Sequence, residues 1–146
     1  MTEDIKIKEV TVSYAHQFND PNESFANHRF SCSITAEVPE GANAGNIANK
    51  CQLYCENQVM QERRYLENKS KLDVELCWVE YALKDIEREL DKKPEPARYQ
   101  KLHEEKQKSV EYMKAVTALL NSSSRHELSK LESLPKRPKL TEVVPF

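Results

Sequence analysis

The stretch "LDVELCWVEYALKDIEREL", residues 72–90, carries the most regular pattern in the chain. Its apolar residues recur at alternating steps of four and three, at Leu72, Leu76, Val79, Leu83, Ile86 and Leu90. Such a repeat is typical of a helix that buries one stripe against another helix. It predicts a long helix, with Leu76, Val79 and Leu83 buried in a helix–helix seam.

Signals downstream predict that this helix pairs with a second one. The stretch "KKPEP" at 92–96 ends the first helix, because proline cannot continue a helix and disfavours it in the preceding residue. A second apolar stripe follows, at Tyr99, Leu102, Met113, Val116 and Leu120. Since the connection is short, we expect two antiparallel neighbours. Ser124 and Glu127 then have the spacing of a capping box, which predicts a short last helix.

Upstream, the apolar residues alternate with a period of two. One parity is shared by Val10, Val12, Tyr14, His16 and Phe18, and another by Phe30, Cys32, Ile34, Ala36 and Val38. Each arm therefore has a single apolar face, which predicts a β-hairpin. The connection "NDPNESFANH", residues 19–28, is rich in turn-forming residues.

A helix is expected between the hairpin and the seam. Apolar residues recur at helical spacing there, at Ile47, Cys51, Tyr54, Cys55 and Val59. The stretch "NKSK" at 68–71 is expected to bend this helix or to split it from the next one. One helix can cover the apolar face of the hairpin, but it leaves both edges of the sheet open.

These elements predict an α+β fold: a β-hairpin packed on a helix, an antiparallel helical hairpin and a short C-terminal helix. The predicted boundaries are 1–67 for the hairpin and its helix, 68–134 for the remaining helices, and 135–146 for an extended, mobile tail. A two-stranded sheet is marginal in water. We therefore expect a homo-oligomer, most simply a dimer in which a second copy extends the sheet.

The composition restricts the function. Two glycines in 146 residues disfavour a sandwich, a barrel or a nucleotide-cradling loop. No nucleophile, histidine or acid pair has the context of a catalytic site, so we predict a protein without enzymatic activity or cofactor. We find neither a signal peptide nor an apolar run of membrane-spanning length. We therefore expect a cytoplasmic protein with no membrane contact and with reduced cysteines.

Cys51 and Cys55 lie four residues apart, on one face of the expected helix. Two thiolates so placed could begin a zinc site. Alternatively, small apolar thiols fill a core between helix and sheet, opposite Cys32. Zinc ligands usually come as two CxxC pairs, so we favour the core interpretation and predict no metal site.

Aromatic residues cluster around the hairpin, and bases lie further along the chain. Phe25 falls in the connecting loop, off the strand register, where its ring could stack on a nucleic-acid base. The predicted nucleic-acid-binding residues are Phe25, Arg29, Arg63, Arg64, Lys69 and Lys71. The alternative is that the basic residues form solvated helix faces. The stretch "PKRPKL" at 135–140 could contact phosphates, act as a localisation signal or serve as a spacer.

The chain closes on "TEVVPF", residues 141–146. A terminal Phe next to a free carboxylate suggests a docking peptide, whose ring fills a pocket while the carboxylate meets a basic group. Val144, Pro145 and Phe146 resemble the tip of bacterial and phage single-stranded DNA-binding proteins. The resemblance implies that these three residues recruit a replication or repair protein. The alternative is that the tail folds back onto its own helices or onto a neighbouring copy.

Together these features predict a small non-enzymatic accessory protein that binds single-stranded DNA or assists DNA processing. A phage or mobile element is the expected source. The alternative is a protein-interaction module, an inhibitor or scaffold that acts through its helical hairpin without nucleic acid. The two differ in one property: a nucleic-acid binder loses affinity steeply as salt rises.

Overall fold

The computed structural model describes residues 6–19 and 27–146. The elements follow one another as β1 (Glu9–Asn19), β2 (Asn27–Glu37), α1 (Ala44–Asp91), α2 (Pro96–Ser122) and α3 (Arg125–Ser129). This order of a hairpin followed by helices confirms the predicted α+β fold. The chain divides into two compact units, Met1–Leu66 and Glu67–Phe146.

The hairpin of the first unit has the register that the apolar parities predict. Val12 faces Ile34, and His16 faces Phe30, so the apolar residues of both strands share one side of the sheet. On the other side, Thr11 and Thr35 share a hydrogen bond of 2.9 Å between their hydroxyls. The solvent face of the sheet therefore carries small hydroxyl side chains that pair across the strands, and such cross-strand pairs stabilise a sheet.

The first part of α1 covers the apolar side of the hairpin. Cys51, Cys55 and Val59 are buried, at successive steps of four along the helix. The Cys55 thiol lies 3.9 Å from the carbonyl oxygen of Val12. Tyr54 is half exposed, so its predicted place in this stripe is wrong. Because the buried residues lie four positions apart, Tyr54, three positions after Cys51, falls at the edge of the buried face.

α1 continues without a break through residues 68–71, where the sequence suggests a bend or a split. Within the second unit, the Asn68 side-chain amide donates to the Leu128 carbonyl at 2.7 Å and to the Leu131 carbonyl at 3.3 Å. Ser70 is buried. Asn68 therefore binds the backbone at the end of α3, and the polar stretch does not interrupt α1.

The helical hairpin of the second unit buries only part of the predicted seam. Leu72, Val79 and Ile86 are fully buried, whereas Leu76 and Leu83 are half buried. Trp78 and Ala82 are also buried, so the core lies to one side of the predicted stripe. The seam prediction is confirmed for Val79 and holds only in part for Leu76 and Leu83.

The buried stripe of α2 is more polar than predicted. It consists of Leu102, Glu105, Ser109, Tyr112 and Val116, again at alternating steps of three and four. Tyr99 is half exposed, and Met113 and Leu120 are partly buried. The helix begins at Pro96, a favoured residue for a first turn. Lys93 supplies the left-handed residue of the connection, with φ 49°.

α3 begins with the predicted cap. The Ser124 hydroxyl accepts a hydrogen bond of 3.1 Å from the backbone N–H of Glu127. Leu128 then enters the core of the second unit. Among residues 6–19 and 27–146, no helix combines the length and the apolar character needed to cross a membrane.

Candidate docking site

Five of the six residues predicted to bind nucleic acid lie among the described residues, three in the first unit and two in the second. Phe25 lies outside the described residues. Arg29 is exposed on the polar face of the hairpin, and Arg64 is exposed on α1. Arg63 is half buried: its guanidinium lies 2.8 Å from Nε2 of His16 and 5.0 Å from the centre of the Phe18 ring. Arg63 therefore holds helix to hairpin inside the first unit.

The remaining two predicted bases belong to the second unit. Lys69 and Lys71 are both exposed on α1, next to the buried residues Ser70 and Leu72. Their ammonium groups face solvent, as is usual for lysines at the edge of a buried helical stripe. Of the described residues in this set, Arg29 lies on β2, and the two arginines and two lysines lie on α1.

The three cysteines of the first unit pack as core residues. Burial raises the pKa of the Cys55 thiol to about 11, and the neighbouring Cys32 and Cys51 add to the shift. Cys51 and Cys55 are buried on the same helical face as Val59, as small apolar side chains are in a core. Among the described residues, no three His, Cys, Asp or Glu side chains are grouped so that they could hold a metal ion.

The most organised set of contacts holds the last residues of the chain. We call residues 135–146 the C-terminal strap, because this extended segment lies on the helices of its own unit. Val143 is buried in a cluster with Ile86 and Leu102, and Leu90 and Leu140 pack against that cluster. The strap belongs to no helix or strand, and its buried valine packs against α1 and α2. The alternative in which the tail folds back onto its own helices agrees with this packing.

Glu105 is the central polar anchor of the strap. Its carboxylate accepts hydrogen bonds from the backbone N–H of Thr141 at 2.6 Å and from the Thr141 hydroxyl at 3.0 Å. The backbone N–H of Glu142 adds a third donor, at 3.2 Å. Three donors on one carboxylate satisfy a group that would otherwise be costly to bury. The extended strap gains in this way the backbone partners that it lacks in a sheet or helix.

A bridge of charges closes over the buried valine. Arg98 donates to Glu89 at 3.0 Å and to Glu142 at 3.1 Å, so one guanidinium joins both helices to the strap. Hydrogen bonds from Lys92 and then from Arg98 lower the pKa of the Glu89 carboxyl. Hydrogen bonds to Glu142 and Glu89 raise the pKa of Arg98. The two shifts favour the charged forms of the pair, the Glu89 carboxylate and the Arg98 guanidinium.

A second charged anchor lies at the start of the strap. Arg137 pairs with Glu75 through two hydrogen bonds, the longer of which is 2.8 Å. Its guanidinium lies 4.6 Å from the centre of the Trp78 ring, and Tyr112 donates to the same carboxylate at 2.5 Å. The hydrogen bond from Arg137 is the largest cause of a lowered pKa at Glu75. Arg137 of the basic stretch is therefore engaged within its own unit.

Beyond Val143 the strap turns into an exposed tip, which we define as Val144, Pro145 and Phe146 together with Tyr81. Val144 is 88% exposed and Phe146 is 74% exposed. The Phe146 ring meets Tyr81 edge to face, with 5.0 Å between ring centres. Lys84 lies above the same tyrosine, 5.6 Å from its ring centre. Two aromatic rings, a branched apolar side chain and one ammonium group thus lie together on the surface.

A groove lies elsewhere in the second unit, between α1 and α2. It encloses about 480 Å³, and Leu83, Val110 and Met113 supply much of its lining. Of these residues, Leu83 belongs to the predicted seam and is half buried.

Several residues of the strap site were not predicted from the sequence. Glu105 and Glu75 resemble solvated helix charges when they are read alone. Their spacing does carry a signal, because Glu105 continues the stripe of Leu102 and Val116 at steps of three and four. A carboxylate within an apolar stripe indicates a buried acceptor with a partner.

No protein-family model, no curated protein and no solved structure matches this chain.

Proposed function

We propose that the protein is a non-enzymatic interaction module that docks a partner protein through its exposed tip. One observation carries the proposal: the strap is fixed to the helices up to Val143, and the next residues are then left in solvent. A single exposed apolar residue needs no explanation. An exposed Val144 and Phe146 at the end of a segment held by Glu105 and Arg98 form a defined apolar surface.

The anchoring favours binding because the ordering cost is already met in the free protein. A flexible peptide loses conformational freedom when a partner captures it, which weakens the complex. Here the backbone N–H groups of Thr141 and Glu142 are bonded to Glu105 before any partner arrives. The tip therefore follows a segment that is already anchored, and the Phe146 ring packs edge to face with Tyr81.

The partner surface is expected to recognise an aromatic ring. A pocket that accepts the Phe146 ring would suffice. Glu142 is committed to Arg98, so it contributes little acidic character to such a contact. The resemblance of the tip to single-stranded DNA-binding proteins makes a replication or repair protein the partner class that we propose.

The test compares the wild type with two variants. Phe146→Ala removes the exposed ring of the tip. Tyr99→Ala is the matched control, because Tyr99 is a similarly exposed aromatic residue outside the tip. We expect a partner captured by the wild type to bind the purified control equally well. The same partner should lose roughly tenfold or more in affinity for Phe146→Ala, as hot-spot aromatic residues do.

The proposal fails if Phe146→Ala and Tyr99→Ala bind the purified partner as tightly as the wild type does. Weak binding by both variants would also contradict it, because the loss would then have no relation to the tip. Circular dichroism of each variant establishes that the comparison concerns folded protein.

A second candidate function is binding of single-stranded DNA. The observation in its favour is that Arg29, Arg64, Lys69 and Lys71 are all exposed, two in each unit. Fluorescence anisotropy with single-stranded and double-stranded oligonucleotides at two salt concentrations tests it. Binding should weaken with salt, and Arg64→Ala should flatten that dependence because one phosphate contact disappears. Phe25→Ala should cost about 1–3 kcal/mol if its ring stacks on a base.

Arg63→Ala serves as the contrast to Arg64→Ala. Arg63 contacts His16 and Phe18, so its replacement should lower the stability of the first unit and leave the salt dependence unchanged. An equal effect of both replacements on the salt dependence would contradict this division of roles. An oligonucleotide affinity too weak to measure at low salt would remove the second candidate.

A further inference from the structure

The sheet of the first unit has an edge whose hydrogen-bonding groups form a defined series. The described sheet contains two strands, β1 and β2. The backbone N–H of Val38 donates to the Lys8 carbonyl at 2.8 Å, which makes this pair a hydrogen-bonded position of the hairpin. In an antiparallel pair such residues alternate with residues whose N–H and C=O point away from the partner strand. On β2 the outward series is therefore Asn27, Arg29, Ser31, Ser33, Thr35 and Glu37.

Two common protections of a sheet edge, lysine and proline, are missing from both strands. Natural edges are blunted by lysine, by proline or by short length. β1 and β2 are each 11 residues long, and neither contains lysine or proline. An edge of this length, with an apolar side, readily pairs with another strand. The strand that covers it must match its side chains.

The charges of β2 match a second copy of β2. Arg29 and Glu37 lie four positions on either side of Ser33. A two-fold axis at Ser33 places Arg29 of one copy opposite Glu37 of the other, and the symmetry makes this ion pair twice. All the paired residues then belong to the outward series, so their backbone groups can exchange hydrogen bonds. Such an interface is closed, because each copy uses the same edge.

The hairpin itself gives a reason for this pairing. Within one chain Glu37 faces Glu9 directly, and like charges in this position are unfavourable. Arg29 of a second copy would lie on the open side of Glu37 and offset that repulsion. β1 carries Glu9 but no arginine or lysine, so its edge offers no corresponding ion pair to a second copy of itself.

The same register extends the apolar side of the sheet. It places Phe30 opposite Ala36 of the second copy, and Cys32 opposite Ile34 of the second copy. All four side chains are half buried within one chain, so each has surface left to cover. Cross-strand pairs of this kind contribute to the stability of sheets.

We infer that β2 pairs antiparallel with β2 of a second copy, with Ser33 on the two-fold axis and Arg29 opposite Glu37. The product is a four-stranded sheet. This inference concerns the first unit and does not depend on the proposed function of the tip.

A charge exchange tests both the edge and its register. Arg29→Glu and Glu37→Arg each place like charges opposite one another at two symmetric positions. Each should raise the dimer dissociation constant roughly tenfold or more, as expected for two cross-strand pairs that change sign. The double variant restores opposite charges and should recover most of the wild-type association. Sedimentation equilibrium measures all four proteins.

Cysteine cross-linking then locates the axis. In a Cys77→Ser background, which removes the exposed native thiol, Ser33→Cys should cross-link between copies with a short thiol-specific reagent. Ser13→Cys is the matched control, because Ser13 faces Ser33 within the hairpin but lies on β1. A monomeric wild type, a double variant that stays dissociated, or cross-linking at Ser13 instead of Ser33 would each overturn the inference.

Discussion

At the scale of single residues, Glu105 shows how a buried charge can organise an irregular segment. Its carboxylate is buried and accepts hydrogen bonds from two consecutive backbone N–H groups and one hydroxyl of the strap. The strap depends on this acceptor, because it has no strand partner of its own. The carboxylate depends equally on the strap, because a buried carboxylate without hydrogen-bond donors would be costly.

Replacement of Glu105 by Ala should lower the free energy of unfolding by about 1–3 kcal/mol, since three donors lose their acceptor at once. Glu105→Gln keeps one acceptor oxygen and should lose less. Thermal unfolding followed by circular dichroism measures both changes. Glu104→Ala is the control, because Glu104 is exposed on the same helix. Equal stability of the Glu104 and Glu105 variants would contradict the anchoring role.

Glu75 gives a dependence on pH. Arg137 and Tyr112 hold the pKa of its carboxyl below the ordinary value of 4.5. A lowered pKa in the folded state means that the stabilisation is fully present above pH 4.5 and is lost as the pH falls through the lowered pKa. The melting temperature should therefore fall more steeply below pH 4.5 in the wild type than in Glu75→Gln. Parallel pH profiles of the two proteins would contradict this account.

At the scale of elements, the sequence predicts regular structure well and irregular structure poorly. The hairpin register was predictable, because a period of two assigns each residue to one side of the sheet. The tail was not, because Leu140 and Val143 have no periodic neighbours and their partners lie on two distant helices. The interpretation of residues 68–71 as a break was wrong, since Asn68 finds its acceptors at Leu128 and Leu131.

Two truncations separate the anchored part of the strap from its tip. Deletion of residues 144–146 removes only partly or fully exposed side chains, so the melting temperature should stay nearly constant. Deletion of 141–146 also removes Val143, whose burial is worth roughly 1.5–3 kcal/mol, and leaves Glu105 without its donors. The melting temperature should then fall by several degrees. A large loss from the shorter deletion would show that the tip is structural.

At the scale of the whole molecule, the elements and their order follow from the sequence, but the functional surface does not. By its charge alone, Arg63 was a reasonable candidate for phosphate binding. Its contact with His16 was not predictable, because the two residues are distant in the sequence and meet only when helix and hairpin pack together. The tip was predictable as a feature of the last three residues. Its association with Tyr81 was not, because the two rings are 65 positions apart in the sequence.

The inferred dimer makes a prediction for the intact protein. Association through β2 stabilises the folded state by mass action, so the melting temperature of the wild type should rise with protein concentration. Arg29→Glu should weaken this dependence, and the double variant with Glu37→Arg should restore it. Differential scanning calorimetry over a hundredfold range of concentration measures the effect. A melting temperature that does not change over this range would contradict the dimer.

The contact between Arg137 and Trp78 makes the strap observable without any label. Trp78 is the only tryptophan of the chain, it is buried, and the guanidinium of the strap lies against its ring. Indole emission responds to solvent and to nearby charge, so detachment of the strap would alter the intrinsic fluorescence of the unmodified protein. Rapid mixing into denaturant, followed by tryptophan fluorescence, would therefore report when the strap detaches relative to global unfolding.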